Sequence, residues 1–238
     1  KKKVSESDKG LIKRNASRLL SLINQLLDLS KLEHGKMKMA VAEYDLNAHL
    51  RLIVANFNSS CSQNEISLNI EIPDTPITLY YDYEKLEAIM YNLLSNAIKF
   101  CNLGGEVKVV CQMDGNDENV SISVSNTGAG IPKEKLDKVF EQYYQLDTNI
   151  GRGTGLGLAL VKEMVKLHSG TIAVTSQENQ ETVFTVNIPL GKHHFNNEDL
   201  VEADSVLPAA NGKEGVEAVV SKSSNERLEV GLQDETRP

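Results

Sequence analysis

Residues 151–157 alternate glycine with other residues and lead directly into the apolar segment 158–161. Glycine tolerates positive φ and lets a ligand approach the backbone closely. The N–H groups that begin the following helix attract anions. We therefore expect a phosphate-binding loop, and a flexible hinge is the alternative. The spacing matches neither a P-loop nor a dinucleotide fingerprint, which should follow a strand in a βαβ unit.

The predicted helix 83–101 combines an apolar side with a polar one. Asn92, Asn96, Lys99 and Phe100 are spaced at i, i+4, i+7 and i+8, which places them on one helical face. Asparagine is unfavourable in the middle of a helix. Two asparagines beside a lysine therefore indicate a ligand site, whereas local capping or hydrogen bonding by each asparagine is the alternative. The core-facing side holds Leu86, Ile89, Met90, Leu93, Ala97 and Ile98.

A second glycine turn follows an alternating strand, in the order Asn126-Thr127-Gly128-Ala129-Gly130-Ile131. Gly128 and Gly130 permit positive φ and close backbone approach. Pro132 is predicted at the first position of a short helix. A Gly-x-Gly turn is weak evidence by itself, so its interpretation depends on the other motifs.

Between residues 40 and 190, strand-like and helical patterns alternate. Strands are predicted at 66–72, 77–81, 105–113, 119–125, 171–176 and 182–189, and helices at 47–62, 83–101, 132–138 and 155–168. Because the strands come in adjacent pairs between helices, we expect an α+β fold, a two-layer sandwich of a mixed β-sheet and helices. Residues 40–190 are therefore predicted to form one folded domain.

One long helix is predicted over 8–33, within an N-terminal region of residues 1–38. Its heptad-spaced apolar residues suit a bundle or coiled coil, and Gly35 is its expected C-terminal stop. We expect dimerisation or packing against a missing helix; the alternative is a helix that lies on its own domain. Two apolar stripes support packing against partner helices. One consists of Ile12, Ala16, Leu19, Ile23 and Leu26, and the other of Leu20, Leu22, Leu27 and Leu29.

Residues 191–238 contain 10 acidic and 5 basic residues and one aromatic residue, Phe195. This composition is typical of a flexible acidic linker. The neighbouring His193 and His194 are expected to be solvated rather than to form a metal site.

The bulk composition restricts partners and compartment. A net charge of −8 argues against nucleic-acid binding. Cys61, Cys101 and Cys111 show no CxxC spacing, so free thiols in a cytosolic compartment are expected. No apolar run approaches the roughly 18 residues that cross a bilayer. The chain begins at Lys1 rather than Met, so we expect a piece of a longer protein, in which any membrane anchor would lie upstream.

Four motifs together resemble a known family. Residues 92–100, 126–131, 139–144 and 153–158 are similar, in order and spacing, to the N, G1, F and G2 boxes of sensor histidine kinases. The helix 8–33 looks like the second helix of that family's dimerisation and phosphotransfer hairpin. The resemblance covers roughly residues 8–190 and implies the Bergerat-type fold of the gyrase, chaperone, histidine kinase and MutL superfamily.

The resemblance implies roles for the motif residues, with ATP and Mg²⁺ as cofactors. Asn96 should hold Mg²⁺, Asn92 a phosphate and Lys99 the terminal phosphates. Asn126 should meet the adenine amino group, Phe100 should pack near the base, and residues 140–153 should form a lid. The full expected ATP-binding set is Asn92, Asn96, Lys99, Phe100, Asn126, Gly128, Gly130, Ile131, Tyr144, Arg152, Gly153, Thr154, Gly155, Leu156 and Gly157.

The residue at position 92 separates transfer from hydrolysis. ATPases of this superfamily carry a glutamate one helical turn before the metal asparagine, and here that position is Asn92. A carboxamide cannot accept a proton near neutral pH, so a histidine kinase is favoured over an ATPase. Asn126 replaces the usual aspartate, Gln142 a frequent arginine, and Glu181 the glycine of a late Gly-Thr-x-Phe. These departures leave a degenerate nucleotide-binding dimerisation module as the other alternative.

No histidine of the chain fits the family's phosphoacceptor, which lies beside an acid and shortly before a proline. His34 follows Glu33 but has no proline after it, and His49 has no acid beside it. The acceptor helix is therefore expected upstream of Lys1, and the chain alone is not expected to autophosphorylate. The resemblance also implies a homodimer through the N-terminal helix, a response regulator or receiver domain as partner, and the cytoplasmic portion of an inner-membrane sensor.

Overall fold

The predicted helices and strands form the larger part of the fold. The computed structural model describes residues 6–116, 118–146 and 154–203. The helices are α1 (Glu6–Glu33), α2 (Leu46–Ala55), α3 (Asn58–Gln63), α4 (Tyr83–Phe100) and α5 (Gly157–Leu167). The strands are β1 (Val41–Asp45), β2 (Ser67–Glu71), β3 (Thr78–Asp82), β4 (Glu106–Met113), β5 (Asn119–Thr127), β6 (Thr171–Ser176) and β7 (Glu181–Pro189).

The main sheet has five strands in the order β2-β4-β5-β7-β6. β2 pairs with β4 in parallel, and the other neighbours pair antiparallel. In the three central strands, alternate residues are buried, which is the pattern of a sheet with one covered face. That face carries Val107, Val109, Val120, Ile122, Val186 and Ile188, all fully buried. The expected α+β sandwich of a mixed sheet and helices is confirmed.

The N-terminus of helix α4 is capped by Asp82 and hydrogen-bonded to the end of α5. The Asp82 carboxylate accepts a hydrogen bond from the Lys85 N–H at 3.0 Å and pairs with the Lys85 Nζ at 2.6 Å. His168, at the end of α5, accepts the Asp82 N–H through Nε2 at 3.1 Å and donates from Nδ1 to the Met164 carbonyl at 2.8 Å. Burial lowers the pKa of His168. This histidine therefore joins the end of α5 to the start of α4.

Three local assignments differ from the sequence prediction. The predicted helix 47–62 is two helices, because the chain turns at Asn56 and Phe57, whose N–H groups bond the carbonyls of Ile53 and Val54. Strand β1 was not predicted; it pairs antiparallel with β3, far along the chain. The predicted helix 132–138 is a 3₁₀ helix over Lys133–Lys138, which Pro132 precedes rather than opens.

Helix α1 ends as expected at Gly35, which has φ +62°. The Gly35 and Lys36 N–H groups bond the carbonyls of Leu32 and Lys31 at 3.0 and 2.8 Å, which is a Schellman motif. The C-terminal end of α1 lies on its own domain, with Leu29 buried. Further up, five large apolar side chains are 44–61% exposed: Leu19, Leu20, Ile23, Leu26 and Leu27. No helix in the described residues is long and apolar enough to span a bilayer.

The start of the expected linker lies on the domain. Leu200 forms a parallel bridge with Val41, and the Val201 N–H bonds the Val41 carbonyl at 2.9 Å. Phe195 packs edge-on against His168 and tilted against His194, which is half-buried instead of solvated. The boundary predicted at residue 190 therefore differs from the structure, because a single bridge to a distant strand leaves no local sequence signal. The rest of the expected linker, residues 204–238, lies outside the described residues.

Candidate functional site

The polar face of α4 meets the start of α5 at Asn92. Asn92 is half-buried, and its Nδ2 donates to the Ala88 carbonyl at 2.8 Å, so part of the local hydrogen-bonding alternative holds. Its Oδ1 lies so close to Gly157 that a Cβ at that position would stand 2.6 Å from it. Only glycine at position 157 permits this approach. Asn96 lies half-buried one turn further along the same face.

The N-terminus of α5 presents backbone donors. Among the described residues, no side chain caps the helix at Leu156, and its first turn contains no acidic residue. The Leu156 N–H instead bonds the Thr154 Oγ1 at 3.1 Å, within the loop. Unneutralised N–H groups at a helix N-terminus favour an anion such as phosphate.

The loop that precedes α5 is closed onto the F-box segment. The Tyr143 N–H bonds the Gly155 carbonyl at 2.8 Å. Gly155 has φ +72°, and a Cβ there would lie 2.6 Å from the Tyr143 carbonyl carbon. Tyr144 is half-buried against the hydrophobic core. The predicted site residues Arg152 and Gly153 lie outside the described residues.

At the other end of the site, the G1 turn contacts the end of α4. Asn126 is 5% exposed, and its Nδ2 donates to the Thr127 carbonyl at 3.2 Å. A Cβ on Gly128 would collide with the Phe100 carbonyl oxygen and would stand 3.1 Å from the Asn126 Nδ2. The fold therefore brings Phe100, Asn126 and Gly128 together, as the sequence predicted.

The turn between β6 and β7 supports the second glycine of the G1 turn. Gly130 has φ +72°, and a Cβ there would lie 2.6 Å from the Gln177 carbonyl oxygen. The Asn179 N–H bonds the Ala129 carbonyl at 2.8 Å. The buried Ile131 N–H donates to the Ser176 Oγ at 2.9 Å. Gly130 and Ile131 are thus held in place by the β6–β7 turn.

Sequence reasoning missed two hydroxyl residues at this end. Thr182 is buried and lies directly across from Asn126 in the β5–β7 register. Its Oγ1 is 2.7 Å from the Ser176 Oγ, so the two hydroxyls and the Ile131 N–H form one chain of hydrogen bonds. The Thr-x-Phe pattern at 182–184 was the signal that could have indicated Thr182.

Lys99 is the cationic candidate of the site, and Asn96 is the candidate metal ligand. The Lys99 Nζ lies 4.6 Å from the centre of the Phe100 ring, on the face where both were predicted. In the described part of the chain, no three His, Cys, Asp or Glu side chains converge as a metal site. A Mg²⁺ ion at this site would need oxygen from asparagine, phosphate and water, which suits its preference for hard ligands.

Comparisons with known proteins identify relatives of the chain. A sequence model described as "Histidine kinase-, DNA gyrase B-, and HSP90-like ATPase" matches residues 81–192. The sensor histidine kinase TmoS of Ectopseudomonas mendocina is 39% identical over 183 residues, and hybrid signal transduction histidine kinase D of Dictyostelium discoideum is 36% identical over 189. These matches cover 76% and 77% of this chain but only 19% and 12% of the relatives.

A solved structure shares the fold. Full-length ShkA, solved in complex with AMPPNP, superposes with a TM-score of 0.70 at 24% identity, covering 80% of this chain and 40% of that one. The resemblance that the four motifs suggested is confirmed. The chain therefore contains an ATPase domain of the histidine kinase-, DNA gyrase B- and HSP90-like family, spanning residues 81–192, and is a homologue of the sensor histidine kinases.

Proposed function

We propose that the domain binds Mg-ATP and transfers its γ-phosphoryl group to a histidine on another segment, as the kinase core of a two-component sensor. The observation that carries this proposal is the approach of the Asn92 Oδ1 to Gly157. It places the carboxamide face of α4 against the uncapped N-terminus of α5. Those two elements would hold the phosphates between them.

The chemistry at position 92 favours transfer over hydrolysis. The Asn92 amide donates to the Ala88 carbonyl, and its oxygen cannot accept a proton from water near neutral pH. An attacking water would therefore lack a general base at this position. Phosphoryl transfer rests mainly on positioning and on neutralising charge, which suits a supplied nucleophile.

The other roles follow from the same arrangement. Asn96 would offer its amide oxygen to Mg²⁺, which supplies charge neutralisation when bound, and Lys99 would approach the terminal phosphates. Asn126 and Thr182 would face the adenine edge, since both are buried and paired across β5 and β7. The glycines at 128, 130, 155 and 157 fix the close packing around this arrangement, because a Cβ at each would collide with neighbouring atoms of the protein.

The phosphoacceptor is proposed to lie on another segment. His49 and His168 are buried, and the exposed His34 bonds the Ser30 carbonyl through Nδ1 at 2.7 Å. The exposed apolar residues of α1 support a helical partner, and we propose a homodimer through this helix. A response regulator or receiver domain would take the phosphoryl group. We place the domain in the cytoplasmic portion of a membrane-bound sensor, by analogy with the sensor kinases it matches.

Calorimetry with a non-hydrolysable ATP analogue tests nucleotide binding. We expect binding that tightens at least tenfold with Mg²⁺, and loss of that Mg²⁺ effect in Asn96→Ala. Ser95→Ala, an exposed neighbour on α4, is the matched control and should behave as the wild type. Absence of binding at millimolar nucleotide would contradict the proposal, and Mg²⁺-independent binding would remove the role of Asn96.

A second assay separates the kinase from a degenerate binding module. The replacement of aspartate by Asn126 favours the binding module. The chain is extended upstream by a helix that carries the acceptor histidine, and labelled ATP is added. A kinase gives acid-labile, base-stable label that Asn96→Ala abolishes. Nucleotide binding without such label would identify the binding module, and steady phosphate release would identify an ATPase.

A further inference from the structure

Helix α1 reaches the glycine loop through one hydrogen bond. The Thr154 Oγ1 donates to the Gln25 Oε1 at 3.0 Å, across a separation of 129 residues. Gln25 is half-buried, whereas its neighbour Asn24 is exposed. This contact connects the expected dimerisation helix to Thr154, within the predicted phosphate-binding loop at 151–157.

The bond is part of a relay of two hydrogen bonds that runs from the Leu156 N–H through the Thr154 hydroxyl to Gln25. The Leu156 N–H donates to the Thr154 Oγ1 at 3.1 Å, and the Thr154 hydroxyl donates onward to Gln25. Both are donors that a phosphate at the N-terminus of α5 would use. In this structure, the backbone donor is satisfied by the hydroxyl, and the hydroxyl proton is committed to Gln25.

We propose that Gln25 is a positioning residue that competes with the nucleotide phosphate for the Thr154 hydroxyl. This inference rests on the proposed function of the same site. With Gln25 in place, the Thr154 hydroxyl is bonded to α1. When a phosphate takes the Thr154 hydroxyl and the Leu156 N–H, the tie to α1 is broken. By linkage, α1 and the nucleotide oppose each other's binding to the loop by the same factor.

Two substitutions of Gln25 predict opposite effects on nucleotide affinity. Gln25→Ala removes the competing acceptor, so the affinity for a non-hydrolysable Mg-ATP analogue should rise about three- to tenfold, the range of one hydrogen bond. Gln25→Glu keeps an acceptor and adds a negative charge beside the phosphate, so the affinity should fall at least fivefold. Asn24→Ala is the matched control and should leave the affinity unchanged. A weaker affinity in Gln25→Ala would overturn the proposal, because a merely supporting role lowers affinity.

A nucleotide-free measurement keeps this inference separate from the proposed function. Hydrogen exchange of the Leu156 amide, followed by NMR without ligand, should accelerate severalfold in Gln25→Ala, because the Thr154 rotamer is no longer fixed. Gln25→Glu should restore protection, and Asn24→Ala should match the wild type. If the Leu156 amide exchanges at the same rate in the wild type and in Gln25→Ala, the relay is refuted. If exchange changes as expected but the wild type binds no nucleotide, the relay stands as a structural contact, and both the competition and the proposed function fail.

Discussion

The contact between Asn92 and Gly157 makes a quantitative prediction for Gly157→Ala. The new Cβ would stand 2.6 Å from the Asn92 Oδ1, and that side chain is tied to Ala88 by its own hydrogen bond. Relieving such an overlap costs about 1–3 kcal/mol. Alanine recovers up to about 1 kcal/mol over glycine in a helix. We expect Gly157→Ala to lower the free energy of unfolding by about 0–2 kcal/mol.

A double-mutant cycle isolates the overlap. Asn92→Ala removes the atom that the new Cβ meets, so in that background Gly157→Ala should become neutral or stabilising. The coupling free energy between positions 92 and 157 should therefore be about 1–3 kcal/mol. Urea unfolding of the four proteins measures it. Gly115→Ala is the control, because a Cβ there meets nothing within 4 Å.

Nucleotide binding by Gly157→Ala is the second readout. Because the substitution displaces either Asn92 or the start of α5, the affinity for a Mg-ATP analogue should fall more than tenfold. The reasoning is refuted if Gly157→Ala binds nucleotide as tightly as Gly115→Ala and shows no coupling with Asn92. In that case the two helices do not hold a ligand between them.

Three further outcomes follow from the structure. Burial lowers the pKa of His49 to about 4, so between pH 6.5 and about 4 the unfolded chain is protonated at His49 and the folded chain is not. The free energy of unfolding should therefore fall by about 3 kcal/mol as the pH drops from 6.5 to about 4. Unfolding of His49→Gln over the same pH range should show a smaller loss, and an equal loss would remove His49 as the cause. Gly35→Ala should lower the free energy of unfolding by about 1 kcal/mol in thermal unfolding, because φ at Gly35 is +62°. A Cβ there would meet no atom within 4 Å, so the cost comes from the backbone alone. No loss would show that the end of α1 changes its backbone conformation to accept alanine. Asn126→Asp should tighten ATP binding severalfold in calorimetry, because the hydrogen bond from the adenine amino group to residue 126 becomes charge-assisted. Weaker binding would mean that losing the hydrogen bond from the Asn126 Nδ2 to the Thr127 carbonyl has the larger effect.

The elements that the sequence predicted well share a strong local signal. β4, β5 and β7 alternate buried and exposed side chains along their length, and their bounds match the predictions within about two residues. The turn at Asn56 was missed because the apolar pattern continues through Phe57, which packs against Tyr91 with ring centres 5.0 Å apart. Periodicity alone does not distinguish one long helix from two short ones.

The parts of the site that the sequence missed are long-range. The four motifs indicated which residues would come together, because each has its own local pattern. Gln25 has no such pattern, since its side chain bonds Thr154, 129 residues away. Thr182 likewise depends on the β5–β7 register that places it opposite Asn126. Such contacts are properties of the topology rather than of any segment.

The bridge between Val41 and Leu200 has a mechanical consequence. The chain passes from α1 into the domain at β1, and Leu200 lies beside the same strand, running in the same direction. Tension applied between the segment before residue 41 and the segment after residue 201 would shear this bridge and its 2.9 Å hydrogen bond. The load would be carried there before it reached the five-stranded sheet.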